Sequence, residues 1–100
     1  MGCSVRFERD EKKNRANQKK HGVSFELAQR VFDDPLALSR LGRVENGEQR
    51  WQTLGLVGET VVLLVVHTVR EEHSEEVIRI ISARKATSRE RRHYEQGETR

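Results

Sequence analysis

Residues 60–68, TVVLLVVHT, are apolar on both parities of an extended chain. Successive side chains of a strand leave on opposite faces, so a segment with no polar face has to be covered on both. This segment is therefore expected to be a central strand, and the rest of the chain must supply its cover. Its neighbours at 36–41, 50–56 and 77–84 also read with a period of two, joined by GRVENGE, VGE and the acidic REEHSEE. Connections this short favour an antiparallel meander.

The other segments read as one edge and three helices. VRF at 5–7 suits a short edge strand. Asp10 offers an N-cap to EKKNRANQKK, and Gly22 supplies the left-handed residue that ends it. Ser24 caps FELAQRVF, with Val23 and Ala28 as a hydrophobic staple, Leu27, Val31 and Phe32 on the same core face, and Asp33, Asp34 and Pro35 as the stop. Together these two segments predict an N-terminal helical hairpin. Its first helix has a single apolar residue, Ala16, and a stripe of Lys12, Arg15 and Lys19, so neighbours have to hold it in place. Thr87 with Glu90 forms a capping box for a third helix running to about Gly97. The expected fold class is α+β: an antiparallel meander with an N-terminal helical hairpin and a C-terminal helix, as one domain over 1–100 with a core at about 5–96 and flexible ends.

Charge narrows what such a domain can do. Charged residues are 35% of the chain and the net charge is +3, with cations crowded into 9–20 and 79–92 and acids at Glu71, Glu72, Glu75 and Glu76. A basic face attracts polyanions. The lone cysteine, Cys3, permits neither an intrachain disulfide nor a cysteine zinc site. His21, His67, His73 and His93 lack the spacing of a metal motif, and no phosphate-binding glycine loop, nucleophile elbow or dinucleotide fingerprint occurs, so no metal and no cofactor is expected. Nothing resembles a signal peptide, and the apolar run is too short for a bilayer of about 30 Å, which points to the cytoplasm and no membrane partner.

Cationic chemistry remains: Lys19, Lys20 and His21 at the end of the first helix, Arg70 after the central strand, and Arg79, Arg84 and Lys85 on or after the last. Guanidinium forks bind phosphate oxygens in bidentate fashion and offset charge that develops at phosphorus. RNA carries its own nucleophile, the 2′-hydroxyl, so the protein need only orient it, neutralise charge and move a proton. His21 or Glu48, the carboxylate beside Arg50, is the candidate for the proton. Each has a plainer alternative: a capping role for His21, surface pairing for Glu48, an ion pair for Arg79, core anchoring for Trp51 and Tyr94. Strict alternation also sets Arg79 and Arg84 on opposite faces unless the strand bends near Ser82. A non-catalytic module that binds RNA or an acidic partner with the same face would look alike in sequence.

KHGVSF at 20–25, VFDDP at 31–35, RW at 50–51, VVHT at 65–68 and IRIISARKAT at 78–87, followed by RE and Tyr94, occur together in this order. In that pattern the chain resembles the BrnT family of bacterial type II toxins, from residue 7 to about 96. The resemblance implies a RelE-like arrangement of sheet and helices and a metal-independent endoribonuclease that arrests translation. It also implies a BrnA-type antitoxin, which binds operator DNA through a ribbon-helix-helix domain, neutralises the toxin and represses their operon. The family motif falls on Asp10, Lys13, Asn17, Lys20, His21, Gly22, Phe25, Arg50, Trp51, Arg79, Ser82, Arg84, Glu90 and Tyr94. The expected catalytic set is thus His21, Arg70, Arg79, Arg84 and Glu48, with Lys13, Lys20, Arg50, Lys85 and Tyr94 on the RNA. Arg9 stands where the family usually has tryptophan, and the acidic 71–76 stretch looks long enough to serve a partner surface.

Overall fold

The computed structural model describes residues 4–97; Cys3 and the expected flexible ends lie outside the described residues. Strand β1 (Ser4–Glu8) leads into helix α1 (Glu11–His21) and the short α2 (Phe25–Gln29), which tightens into a 3₁₀ turn at Arg30–Asp33. Four strands follow, β2 (Leu38–Glu45), β3 (Glu48–Val57), β4 (Val61–Glu72) and β5 (Glu75–Lys85), and helix α3 (Ser88–Gln96) is the last described element. The sheet order is β1-β5-β4-β3-β2.

β4 is flanked by β3 and β5, with Leu63, Leu64 and Val65 all buried, as its two-sided apolar pattern requires. The sheet is mixed, however, and not a pure antiparallel meander. β2 to β5 run antiparallel, but β1 lies parallel to β5, Val5 opposite Glu76 and Phe7 opposite Ile78. The long excursion through β2 to β4 is the crossover that a parallel neighbour needs, and no local signal in VRF encodes that direction.

One face of the sheet carries the larger core. Val23, Phe25, Ala28 and Val31 from the helical layer pack on Val57, Leu63, Val65, Ile80 and Ala83. Each buried Val, Leu, Ile or Phe among them contributes roughly 1.5–3 kcal/mol by leaving water. β3 comes so close to the 3₁₀ turn that a Cβ at Gly55 would lie 2.5 Å from Val31 Cγ1, so only glycine fits. On the same face Ser39, Thr53 and His67 form a hydroxyl–hydroxyl–imidazole chain, 2.7 and 2.8 Å long, with the His67 ring edge-on to Phe32.

The expected helical hairpin is not what forms. α1 and α2 do not pair with each other as two long arms; both lean on β5, and α2 has only five residues. The caps are as the residues suggest: Asp10 accepts from Lys12 and Lys13, Gly22 adopts φ +73°, and Ser24 accepts from Leu27. What holds α1 is amide chemistry rather than apolar burial. Ala16 is exposed, whereas Asn14 and Asn17 are 6% and 7% exposed. Asn17 accepts from Ala83 N–H and donates to the carbonyls of Ala83 and Val23, so its side chain pairs with β5 as a neighbouring peptide group would. Asn14 Oδ1 accepts from Phe25 N–H.

Among the described residues the opposite face is covered at one end only. There α3 sits over Leu54, Val62 and Leu64, with Leu56, Ala86 and Tyr94 around them. The capping box of Thr87 and Glu90 forms. Two connections expected as loops are strand instead. GRVENGE reduces to a turn at Asn46 and Gly47, and REEHSEE to one at His73 and Ser74, all at positive φ. Two acids of the second are paired: Arg6 bridges Glu72 and Glu75 as well as Glu8 of β1, and Arg70 grips Glu8 with both terminal nitrogens at 3.1 and 3.0 Å.

Candidate nucleic-acid interface

β5 contains a β-bulge. Its pairing with β4 runs from Lys85 opposite Leu63 to Ser82 opposite Val66, then resumes with Ile80 opposite His67, leaving Ile81 as the extra residue. Arg84 thus lies opposite Leu64, Ser82 opposite Val66 and Arg79 opposite Thr68, and these three β4 positions share one parity. Arg84, Ser82 and Arg79 therefore stand on the same face, the one that α3 covers only in part. The expectation of opposite faces is corrected by one residue of bulge near Ser82.

The same face collects side chains from the other strands. Gln52 is opposite Val66, and Arg50 and Glu48 follow on its parity; Arg40 is opposite Gln52, whose Oε1 accepts from Arg40 Nε at 3.0 Å. Arg79 reaches over β4, and its Nη2 donates to Glu48 Oε1 at 2.6 Å. Arg50 faces Glu45 at 3.6 Å. Between the two arginines Thr68 is only 4% exposed. The Nε atoms of both Arg50 and Arg79 are buried and have no hydrogen-bond partner among the described residues. The Arg50 and Arg79 side chains as a whole are 17% and 38% exposed, so an incoming anion meets them on their exposed sides and not at these Nε atoms.

The ten expected site residues fall into three groups. Arg79, Glu48, Arg50 and Arg70 come together on the open face. In the Arg70 pair, the hydrogen bond from Arg70 leads the causes that hold the Glu8 carboxyl below its ordinary value and the Arg70 guanidinium above its own. Arg84 and Tyr94 share that face but serve the root of α3. Arg84 makes a bidentate contact to Glu90 at 2.8 and 2.9 Å, which pulls the Glu90 carboxyl down to about 2. Tyr94 O–H donates to Asp34, and burial, with that hydrogen bond second, pushes the phenol up to about 12. His21, Lys13 and Lys20 belong to α1 in the helical layer, and Lys85 lies opposite Leu63 on the helical side. Of these, Lys13 lines a cleft with Arg79 where β1 ends. His21 is not brought to the arginines.

Several contributors left no readable mark in the sequence. Gln52 and Arg40 join the face only through strand register, whereas Ser82, a motif position, is brought there by the bulge. Asp34 looked like a helix stop, yet it accepts from Leu36 N–H, Leu56 N–H and Tyr94 O–H and ties three elements together. Burial raises its carboxyl, but these hydrogen bonds together outweigh it and the net shift is downward. Arg9, in the place of the usual tryptophan, pairs with Glu11 at 2.9 Å and Glu26 at 3.7 Å, so an ionic link joins the end of β1 to the start of both helices.

The chain forms a half-covered mixed sheet with arginines on its open face, and the sequence model of a ribonuclease toxin of type II toxin–antitoxin systems matches residues 10–90. That match takes in most of the chain: the protein belongs to the BrnT family. In structure it is similar to the Brucella abortus ribonuclease toxin BrnT, whose 1.1 Å crystal structure it matches with a TM-score of 0.56, covering 87% of this chain and 100% of that one. The two are 23% identical, so this likeness concerns the fold. No curated protein matches the chain. Among the described residues no helix is long and apolar enough to cross a membrane.

Proposed function

We propose that the open face of the sheet cleaves RNA and that the protein is an endoribonuclease needing no metal cofactor. The carrying observation is the Arg50 and Arg79 pair, set on one face beside buried Thr68 with their side chains 17% and 38% exposed. A phosphate oxygen is the acceptor that suits them, and Arg70 adds a third cation on the same face.

In the free protein Glu48 occupies Arg79 at 2.6 Å. When the scissile phosphate takes the guanidinium, the displaced carboxylate lies beside it and accepts the proton of the RNA 2′-hydroxyl. The 2′-oxygen bonds to phosphorus, the bond from phosphorus to the 5′-oxygen breaks, and the leaving oxygen takes a proton from water. The products are a 2′,3′-cyclic phosphate and a 5′-hydroxyl. Arg79 and Arg50 offset the charge gained by the phosphoryl oxygens. Glu48 is preferred to His21 for the proton because His21 belongs to the helical layer. Arg84 and Tyr94 act by positioning α3, while Lys13, Lys20 and Lys85 add a salt-sensitive attraction for RNA.

This reading extends to the cell: cleavage in the cytoplasm arrests translation, and a BrnA-type antitoxin with a ribbon-helix-helix domain neutralises the protein and alone contacts operator DNA. Its test is cleavage of single-stranded RNA by the purified protein in EDTA, with growth arrest relieved by coexpressing the neighbouring antitoxin. Activity that disappears in EDTA, or salt-sensitive binding without product, would defeat it; the latter outcome would favour a binding module.

A further inference from the structure

α3 is fixed to the rest of the fold at two points. Arg84 clamps its first turn through Glu90, and Tyr94 clamps its last turns to Asp34. Beside the Glu90 fixing, between the start of α3 and the sheet, is a cavity of roughly 340 Å³, floored by Leu54 and Leu64 and walled by Leu38, Gln52 and His93. Its size falls at the lower end of the range for small-ligand sites, about 300–1,000 Å³.

Position is the second observation. Gln52 borders this cavity and also a shallower groove it shares with Arg50, Val66 and Ser82. Gln52, Val66 and Ser82 form one cross-strand row, and Arg79 with Thr68 belongs to the row two residues along, about 7 Å away. The cavity therefore opens from the arginines by way of Gln52. The Gln52 amide is oriented, because its Oε1 accepts from Arg40 Nε, which leaves the amide nitrogen with two donors to offer.

We infer that the cavity between α3 and the sheet receives one unpaired nucleobase of the RNA whose phosphate Arg50 and Arg79 hold, and that Gln52 reads that base's edge. The inference rests on the RNA-cleaving reading of the same face. Leu54 and Leu64 offer a flat apolar floor to a ring, while a polar rim meets its hydrogen-bonding edge. A base stacked within a duplex cannot enter such a cavity, so the substrate is single-stranded at this nucleotide.

The test is titration of the full ¹⁵N-labelled protein with the four ribonucleoside 3′-monophosphates, with free nucleosides and with ribose 5-phosphate, read from amide shifts. Nucleotides are expected to move the amides of Gln52, Leu64 and the first turns of α3 together with those of Arg50 and Arg79, and ribose 5-phosphate only the latter. Leu38→Trp, which fills the cavity from its half-exposed rim, and Gln52→Leu are each expected to weaken nucleotide binding about tenfold and ribose 5-phosphate binding not at all. Nucleotides that shift only the arginine row, or that bind both variants as tightly as the wild type, would overturn the base pocket and leave the phosphate reading standing. Nucleosides that shift the cavity while no phosphate shifts Arg50 or Arg79 would overturn the phosphate reading and support a base site. Silence at both sites would overturn both.

Discussion

Arg79 and Arg84 are five residues apart on β5, yet both stand on the face of the sheet that bears α3, opposite Thr68 and Leu64. The bulge at Ile81 reverses the parity of everything before it. The two arginines have separate work on that face: Arg84 is paired with Glu90, and Arg79, among the described residues, with Glu48, at the less covered end.

Arg79→Ala should lower RNA cleavage by about a hundredfold or more, and Arg79→Lys should restore little of it, because a point charge does not reproduce a guanidinium fork. Stability should change by less than about 1 kcal/mol, since the Glu48 pair is partly solvated. Initial rates on a labelled RNA and urea melts of the same samples check both.

Glu48→Gln keeps the shape of the acceptor and removes its basicity. Cleavage should fall about 10²–10⁴-fold while RNA binding, read by fluorescence anisotropy, holds or tightens. An unchanged rate would take the proton role from Glu48.

Asn17→Ala strips three hydrogen bonds from buried backbone groups of β5 and the turn after α1. A loss of about 2–4 kcal/mol in urea unfolding is expected, with Asn17→Asp also destabilised because it cannot donate to Val23 and Ala83.

The Glu90 carboxyl is held near 2 against an ordinary 4.5 by Arg84 and the Thr87 cap. A depressed carboxyl stabilises the fold above the unfolded value, so this contribution is full above about pH 4.5 and is lost as pH falls towards 2. Glu90→Gln should be less stable than wild type by on the order of 1–2 kcal/mol at neutral pH, and the two urea midpoints should converge in acid.

His67 is buried and neutral, its imidazole lowered from 6.5 to about 4 mainly by burial. For a base lowered in the folded state, stability is full above the unfolded value and falls as the unfolded chain takes the proton. At roughly 1.4 kcal/mol per pH unit the loss between pH 6.5 and 4 is on the order of 3 kcal/mol. His67→Gln should flatten that part of the stability-versus-pH curve, measured by thermal melts.

What the sequence determined by itself was local or compositional. Asp10, Gly22, Ser24 and the Thr87–Glu90 box act within a few residues of the helix ends they close, so their chemistry is written in order. The two-sided apolar run of β4 likewise demanded cover whatever supplied it. Tertiary structure decided the rest. The parallel docking of β1, the conversion of charged loops into hairpin ends, and the use of Asn14 and Asn17 in place of an apolar helix face all depend on groups distant in the chain. So does the site. Glu48, Arg50 and Gln52 come from β3 and Arg79 from β5, and a single unpaired residue at Ile81 sets which of the β5 arginines face them, because strand parity is counted along the pairing and not along the sequence.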